Sequence, residues 1–77
     1  MQRVRFELNG DFVEINQLLK LVGICDSGGA GKALVADGGV KLDGVKETRK
    51  TAKVHAGQYV TIGDIRIDVV AQGSGGE

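Results

Sequence analysis

The sequence predicts an α+β domain in which two short helices pack on a small, mainly antiparallel β-sheet. Three observations support this fold class. Apolar and charged residues alternate near the start, a stripe of apolar residues at helical spacing follows, and the second half consists of short β-like runs separated by glycine turns. A chain of 77 residues makes one domain and is too short for a deep catalytic cleft between two subdomains.

Periodicity predicts the first two elements. Residues 3–8 alternate as in a half-buried strand, and Asn9-Gly10 then turns the chain. The first helix is expected to begin at Asp11, which can form a capping box with Glu14, and to end at Gly23. The apolar stripe of this helix consists of Ile15, Leu18, Leu19 and Val22.

A second helix is expected to begin near Ser27 and to end before Gly38-Gly39. Gly28, Gly29 and Gly31 each lower its helix propensity by roughly 1 kcal/mol relative to alanine. Two explanations remain open, namely close packing on the first helix and close approach of the backbone to a ligand. Ala30, Ala33 and Leu34 are expected to face inward, with Lys32 and Ala36 pointing away.

The rest of the chain is predicted to form strands joined by tight turns. Residues 40–42 and the segment from Val45 form a hairpin, because Asp43-Gly44 suits a type I′ turn. Residues 47–53 are polar and basic, which is typical of a loop or an edge strand. The last strands are expected at residues 59–62 and 65–70, after a turn at Ala56-Gly57.

We expect a single domain over residues 1–71 and a disordered Gly/Ser tail over residues 72–77. Cys25 is the only cysteine, which excludes a disulfide framework and favours a reducing compartment. The chain has no apolar run of membrane-spanning length, and its N-terminal residues do not resemble a signal peptide. We therefore expect a cytoplasmic monomer without a membrane, metal or cofactor partner.

Charge is segregated along a chain that is neutral overall. Residues 7–37 contain five acids and two bases, for a net charge of −3, whereas residues 41–53 contain five bases and two acids, for +3. A neutral protein can therefore still present a basic face to phosphate groups, although basic runs also serve simply as solvated surfaces. Arg3 and Arg5, on the outer face of the first strand, can extend such a patch.

The glycine-rich segment before Lys32 differs from a nucleotide-binding P-loop. That motif requires glycine where this chain has Asp26 and a hydroxyl residue where it has Ala33, so nucleotide hydrolysis is excluded. A helix N-terminus with glycines still allows a phosphate to approach its free N–H groups. The alternative is that Ser27 only caps the helix and the glycines only form a turn.

No catalytic arrangement stands out. A nucleophile pair of Cys25 and the single histidine, His55, is conceivable, but lone cysteines are usually packing residues. We therefore expect a protein that is not an enzyme.

The residues predicted to contact phosphate groups are Ser27, Gly28, Gly29, Lys32, Lys41, Lys46, Arg49, Lys50 and Lys53. Two Phe, one Tyr and no Trp are too few for a base-stacking platform.

Residues 27–44, SGGAGKALVADGGVKLDG, resemble the core of the αL RNA-binding domain, the family named from ribosomal small-subunit protein four. That core has Ser-Arg at a helix start, an apolar pair, and Gly-x-Val-x-Val-Asn-Gly entering a hairpin. Leu34-Val35 match the apolar pair, and residues 39–44 match the hairpin entry. The resemblance extends over residues 12–70.

This resemblance implies an αL fold that binds structured RNA, such as ribosomal RNA, transfer RNA or a stem-loop, and implies association with translation, the ribosome or another ribonucleoprotein. Three residues depart from the pattern. Gly28 replaces the helix-start arginine, Asp43 replaces asparagine, and Gln58 replaces an aspartate. The first change weakens the RNA contact of the family, so the charge would have to come from Lys32, Lys41, Lys46, Arg49, Lys50 and Lys53 instead.

Two alternatives remain open. A β-grasp sulfur carrier also has a short first strand and a Gly-Gly tail, but Glu77 would block the required free Gly-Gly end, and the second helix is one element too many. A protein-interaction module is the other alternative. The sequence shows no exposed apolar patch that would favour it.

Overall fold

Two helices and seven strands make up residues 2–73, the part of the chain that the computed structural model describes. The elements are β1 (Gln2–Leu8), β2 (Val13–Glu14), α1 (Ile15–Leu21), α2 (Gly28–Ala36), β3 (Val40–Leu42), β4 (Val45–Lys46), β5 (Lys53–Val54), β6 (Tyr59–Ile62) and β7 (Ile65–Ala71). Five strands form one sheet in the order β1-β7-β6-β3-β4, and β2 pairs with β5. The predicted α+β class is confirmed.

The five-stranded sheet is antiparallel except where β1 lies parallel to β7. Its inner face packs on the helices, and the core combines Val60, Ile67 and Val69 of the sheet with buried residues of both helices. The outer face carries the alternate, polar residues of each strand. A backbone hydrogen bond of 3.1 Å from Gln72 N to Leu8 O follows β7. Residues 74–77 of the predicted tail lie outside the described residues.

Helix α1 begins later than predicted, because its N-cap residue is Glu14 rather than Asp11 and its first helical residue is Ile15. The predicted capping box is wrong, because Val13–Glu14 are extended and pair with β5, and the Glu14 side chain makes no capping hydrogen bond. Instead, Ile15 N donates to Ala52 O at 2.8 Å. A distant carbonyl therefore satisfies a free N–H group of this helix.

Helix α2 has the predicted extent but a different inward face. Ala30 and Ala33, predicted to face inward, are exposed, and Gly31 and Val35 are buried instead. A Cβ atom on Gly31 would lie 2.5 Å from the backbone oxygen of Asn16. This contact places the backbones of the two helices close together, so close packing accounts for Gly31.

The predicted β3–β4 hairpin is present, with a two-residue turn at Asp43-Gly44. Both turn residues have positive φ, 53° at Asp43 and 83° at Gly44, as a type I′ turn requires. Leu42 pairs with Val45, and Lys41 pairs with Lys46. The turn thereby sets which side chains of the hairpin face outward.

Candidate nucleic-acid interface

The start of α2 is a capped helix terminus. Ser27 Oγ accepts a hydrogen bond of 3.1 Å from Ala30 N, as an N-cap residue does. Gly28 is half-buried, and its carbonyl accepts a hydrogen bond of 3.3 Å from Asn16 Nδ2. Gly29 is exposed, and a Cβ atom at this position would meet only Ser27 Oγ, at 3.9 Å. Of the two glycines, only Gly29 leaves the backbone open to a ligand.

The predicted basic loop is attached beside this helix start. The Ala52 carbonyl accepts the hydrogen bond from Ile15 N. Asn16, which follows Ile15 in the chain, contacts both Gly28 and Gly31. The beginning of α1 therefore lies between the basic loop and the first turn of α2. The loop borders an open depression of about 520 Å³ lined by Arg49, Thr51, Ala52, Lys53 and His55.

Two of the loop cations already have partners. Arg49 donates from Nε and Nη2 to the Glu47 carboxylate at 3.0 and 3.1 Å, and this hydrogen bonding lowers the pKa of Glu47 below its ordinary value. Lys53 Nζ lies 4.8 Å from the centre of the Phe12 ring, and Lys53 is the register partner of Glu14 across β2 and β5. Arg49 is therefore held in an ion pair, and Lys53 lies over an aromatic ring, before any phosphate binds.

Four other predicted cations are less constrained. Lys32, Lys41, Lys46 and Lys50 are exposed, and none forms a salt bridge to an acidic side chain within residues 2–73. Exposed, unpaired ammonium groups are the ones that an incoming phosphate can reach at the smallest desolvation cost.

The predicted contact residues fall into two groups. We call seven of them the helix-start group, because they belong either to the first turns of α2 or to the loop attached beside it: Ser27, Gly28, Gly29 and Lys32 of the helix, and Arg49, Lys50 and Lys53 of the loop. Lys41 and Lys46 form a second group on the outer face of the sheet, and the end of the Lys46 side chain lies against Gly38, beyond the other end of α2. Nine helical residues, about 13 Å, lie between Gly38 and the start of α2.

Arg66 is a further candidate binding residue that was not predicted from the sequence. Its guanidinium carbon lies 4.0 Å from the centre of the Tyr59 ring, and its Nε donates to Asp68 Oδ1 at 2.9 Å. Asp68 also accepts hydrogen bonds from Arg3. The pKa of Asp68 is lowered mainly by the hydrogen bond from Arg66 and secondarily by that from Arg3. The alternation of residues 65–69 was the available signal, since it places Arg66 outward between two apolar residues.

Cys25 is not arranged as a nucleophile. Burial, and secondarily the charge of Asp26, raise the pKa of its thiol above the ordinary value, which disfavours the thiolate. Among residues 2–73, no three His, Cys, Asp or Glu side chains are grouped to hold a metal ion. No helix in the same range has the length and apolar character needed to cross a bilayer.

The sequence pattern of the S4 domain matches residues 6–70. The chain belongs to the S4 domain family. It is 48% identical over 59 residues to YbcJ of Escherichia coli K12, whose name describes it as a candidate RNA-binding protein, covering 77% of this chain and 84% of YbcJ. It is also 41% identical over 56 residues to a tyrosine–tRNA ligase of Ralstonia nicotianae, covering 73% of this chain and only 14% of the ligase.

The S4 fold is also recognisable in three dimensions. The solution structure of E. coli YbcJ, described as revealing an αL motif involved in RNA binding, superposes with a TM-score of 0.66 at 41% sequence identity. The match covers 92% of this chain and 89% of YbcJ. The predicted αL architecture is therefore confirmed, and the β-grasp alternative finds no support.

Two departures from the S4 pattern contact each other. Gln58 Nε2 donates to Asp43 Oδ2 at 2.8 Å, and Asp43 Oδ1 accepts from Tyr59 N at 3.1 Å. In this chain, the Asp43 carboxylate therefore joins the hairpin turn to the start of β6 through both the Gln58 side chain and the Tyr59 backbone.

Proposed function

We propose that this S4 domain is a non-catalytic, monomeric cytoplasmic protein that binds structured RNA: ribosomal RNA, transfer RNA or another stem-loop. The observation that carries the proposal is the attachment of the basic loop beside the start of α2, through the Ile15–Ala52 hydrogen bond and the Asn16 contacts. Family membership and the αL motif described for YbcJ give independent support.

In the proposed complex, an RNA phosphate lies at the start of α2. The exposed N–H group of Gly29 and the positive end of the helix dipole face the phosphate, and Lys32 lies one turn further along. Lys50 and Lys53 contact the neighbouring backbone from the loop. Recognition is of shape and backbone rather than of base sequence, because aromatic side chains for stacking are scarce.

The first test is an NMR titration of labelled protein with a short RNA stem-loop at two salt concentrations. Amide shifts are expected at residues 28–32 and 41–53. If about five cations neutralise phosphates, the logarithm of the affinity should fall linearly with the logarithm of the salt concentration, with a slope of about −4. Shifts scattered over α1, or none at low salt, would contradict the proposal and leave a protein partner for the apolar groove of about 350 Å³ beside Cys25, Ala33 and Leu34.

Charge-removing variants locate the site. Lys50→Gln and Lys32→Gln are each expected to weaken RNA binding several-fold, by roughly 1 kcal/mol. Lys20→Gln is the matched control, because Lys20 is exposed in the last turn of α1, within the acidic part of the chain. Equal losses in all three variants would indicate non-specific charge attraction instead of the proposed site.

Glu47→Gln is expected to strengthen binding. The substitution removes a negative charge and releases Arg49 from the ion pair that now holds its guanidinium. Fluorescence anisotropy with the same stem-loop measures the gain. Unchanged affinity would remove Arg49 from the proposed contacts.

A further inference from the structure

The pairing register aligns five outward-facing residues across the whole sheet. Lys46 of β4 pairs with Lys41 of β3, Lys41 with Thr61 of β6, Thr61 with Arg66 of β7, and Arg66 with Arg3 of β1. We name these five residues the sheet row. At about 4.8 Å between neighbouring strands, the row is about 19 Å long.

Four of the five residues in the sheet row are cationic, and they form two like-charge register pairs, Lys41 with Lys46 and Arg3 with Arg66. Like charges directly opposite each other destabilise a sheet. Asp68 compensates the arginine pair by binding both guanidinium groups, at 3.2 Å from Arg3 Nη2 and 2.9 Å from Arg66 Nε. Within residues 2–73, no acidic side chain forms a salt bridge to either lysine.

Arg66 is held in place before any ligand arrives. Its guanidinium stacks on Tyr59 and its Nε is bonded to Asp68, while its side chain remains 33% exposed. Neither terminal nitrogen of Arg66 has a hydrogen-bond partner among the described side chains. A fixed guanidinium with a free end is suited to bidentate binding of a phosphate group.

The side chains of the sheet row favour a polyanion over a protein surface. A protein interface usually has a desolvated apolar or aromatic centre. The row itself consists of four cations and a threonine, and the neighbouring Tyr59 ring is covered by Arg66. Hydroxyl and cationic groups are the side chains that contact sugar–phosphate backbones.

We infer that the sheet row is a second contact surface for the RNA backbone, continuing the proposed interface from Lys41 and Lys46 across the outer face of the sheet to Arg66 and Arg3. This inference rests on the proposed function and adds Arg66, Arg3 and Thr61 to it. RNA then contacts the domain both at the start of α2 and on the sheet face.

Arg66→Gln tests the inference, with Lys20→Gln as the control. Lys20 is exposed in the last turn of α1, the helix that packs against the inner face of the sheet. Arg66→Gln is expected to weaken stem-loop binding about tenfold at low salt and to reduce the steepness of the salt slope by roughly one. Lys20→Gln should change affinity less than twofold. Arg66→Lys, which keeps the charge and loses the planar fork, should fall between wild type and Arg66→Gln.

Wild-type protein gives a readout that does not depend on how the variants fold. RNA titration should shift the amides of Lys41, Thr61 and Arg66 together with those of residues 28–32. Shifts at residues 28–32 and 41–53 without shifts at Thr61 and Arg66, and equal affinities for Arg66→Gln and Lys20→Gln, would overturn this inference while leaving the proposed function intact. The row would then be open to an acidic protein partner. Wild-type protein that binds no RNA would overturn both proposals.

Discussion

The two helices of this domain bury themselves by different means. Helix α1 inserts Ile15, Leu18 and Leu19 into the core, each fully buried. Helix α2 buries only Gly31 and Val35 and approaches α1 with its backbone at Gly31. Helix α1 is therefore held by three buried aliphatic side chains, whereas α2 is held by Val35 and by the close backbone approach at Gly31. Most of the α2 surface remains open to solvent and to a ligand.

The largest effect is expected where α1 fills the core. Leu18→Ala should destabilise the domain by about 2–5 kcal/mol, because it removes fully buried methyl groups and leaves a cavity. Urea unfolding measures the loss. Leu21→Ala is the control on the same helix, since Leu21 is 57% exposed, and it should cost well under 1 kcal/mol, as surface substitutions do. Similar losses in both variants would contradict the described orientation of α1.

Gly31→Ala is expected to have the next largest effect. The new methyl group would lie 2.5 Å from Asn16 O, a backbone atom that cannot rotate away, so the helices must separate. We expect a loss of about 2 kcal/mol in spite of the better helix propensity of alanine. A variant as stable as wild type in urea would show that Gly31 is not required for packing.

Ser27→Ala is expected to cost about 1 kcal/mol, because the Ala30 N–H group loses its capping oxygen. Ser27→Asp keeps a cap and should be close to wild type in urea unfolding. The same aspartate places a negative charge where the phosphate is proposed to bind, so stem-loop affinity should fall. An aspartate variant that binds RNA normally would place the phosphate away from the start of α2.

Gly29→Ala should have the smallest effect on stability and the opposite sign. Space for a Cβ exists at Gly29, so alanine should stabilise the domain by up to about 1 kcal/mol. If the backbone of Gly29 contacts a phosphate, the added methyl group should nevertheless weaken stem-loop binding. Higher stability with undiminished affinity would mean that Gly29 has no contact with RNA.

Local patterns predicted much of the fold correctly. The alternation of residues 3–8, the Ser27 cap and the Asp43-Gly44 turn each depend on nearby residues, and each is present in the structure. The predicted start of α1 failed because a long-range interaction decided it. Val13–Glu14 pair with β5 and Ala52 receives the first N–H bond, which outweighs a local capping box.

The residues of the candidate site were likewise predictable only where local sequence decides their placement. The sequence identified the lysines of residues 41–53 by their composition, but the partners of Arg49 and Lys53 and the inward face of α2 depend on packing. Arg66 was missed because its neighbours in the sheet row, Arg3 and Thr61, belong to other strands, and Arg3 is more than sixty residues away along the chain.

By itself, the sequence determined the α+β class, the capped second helix and the hairpin, because propensity, turn chemistry and periodicity act over a few residues. The αL motif followed from the resemblance of residues 27–44 to a known family. Only the tertiary structure decided that Gly31 serves packing and that Gly29 stays open. It also decided which cations are paired and that four of them align across the sheet. Strand register and helix contact join residues that are distant in the chain, and local patterns do not specify such pairings.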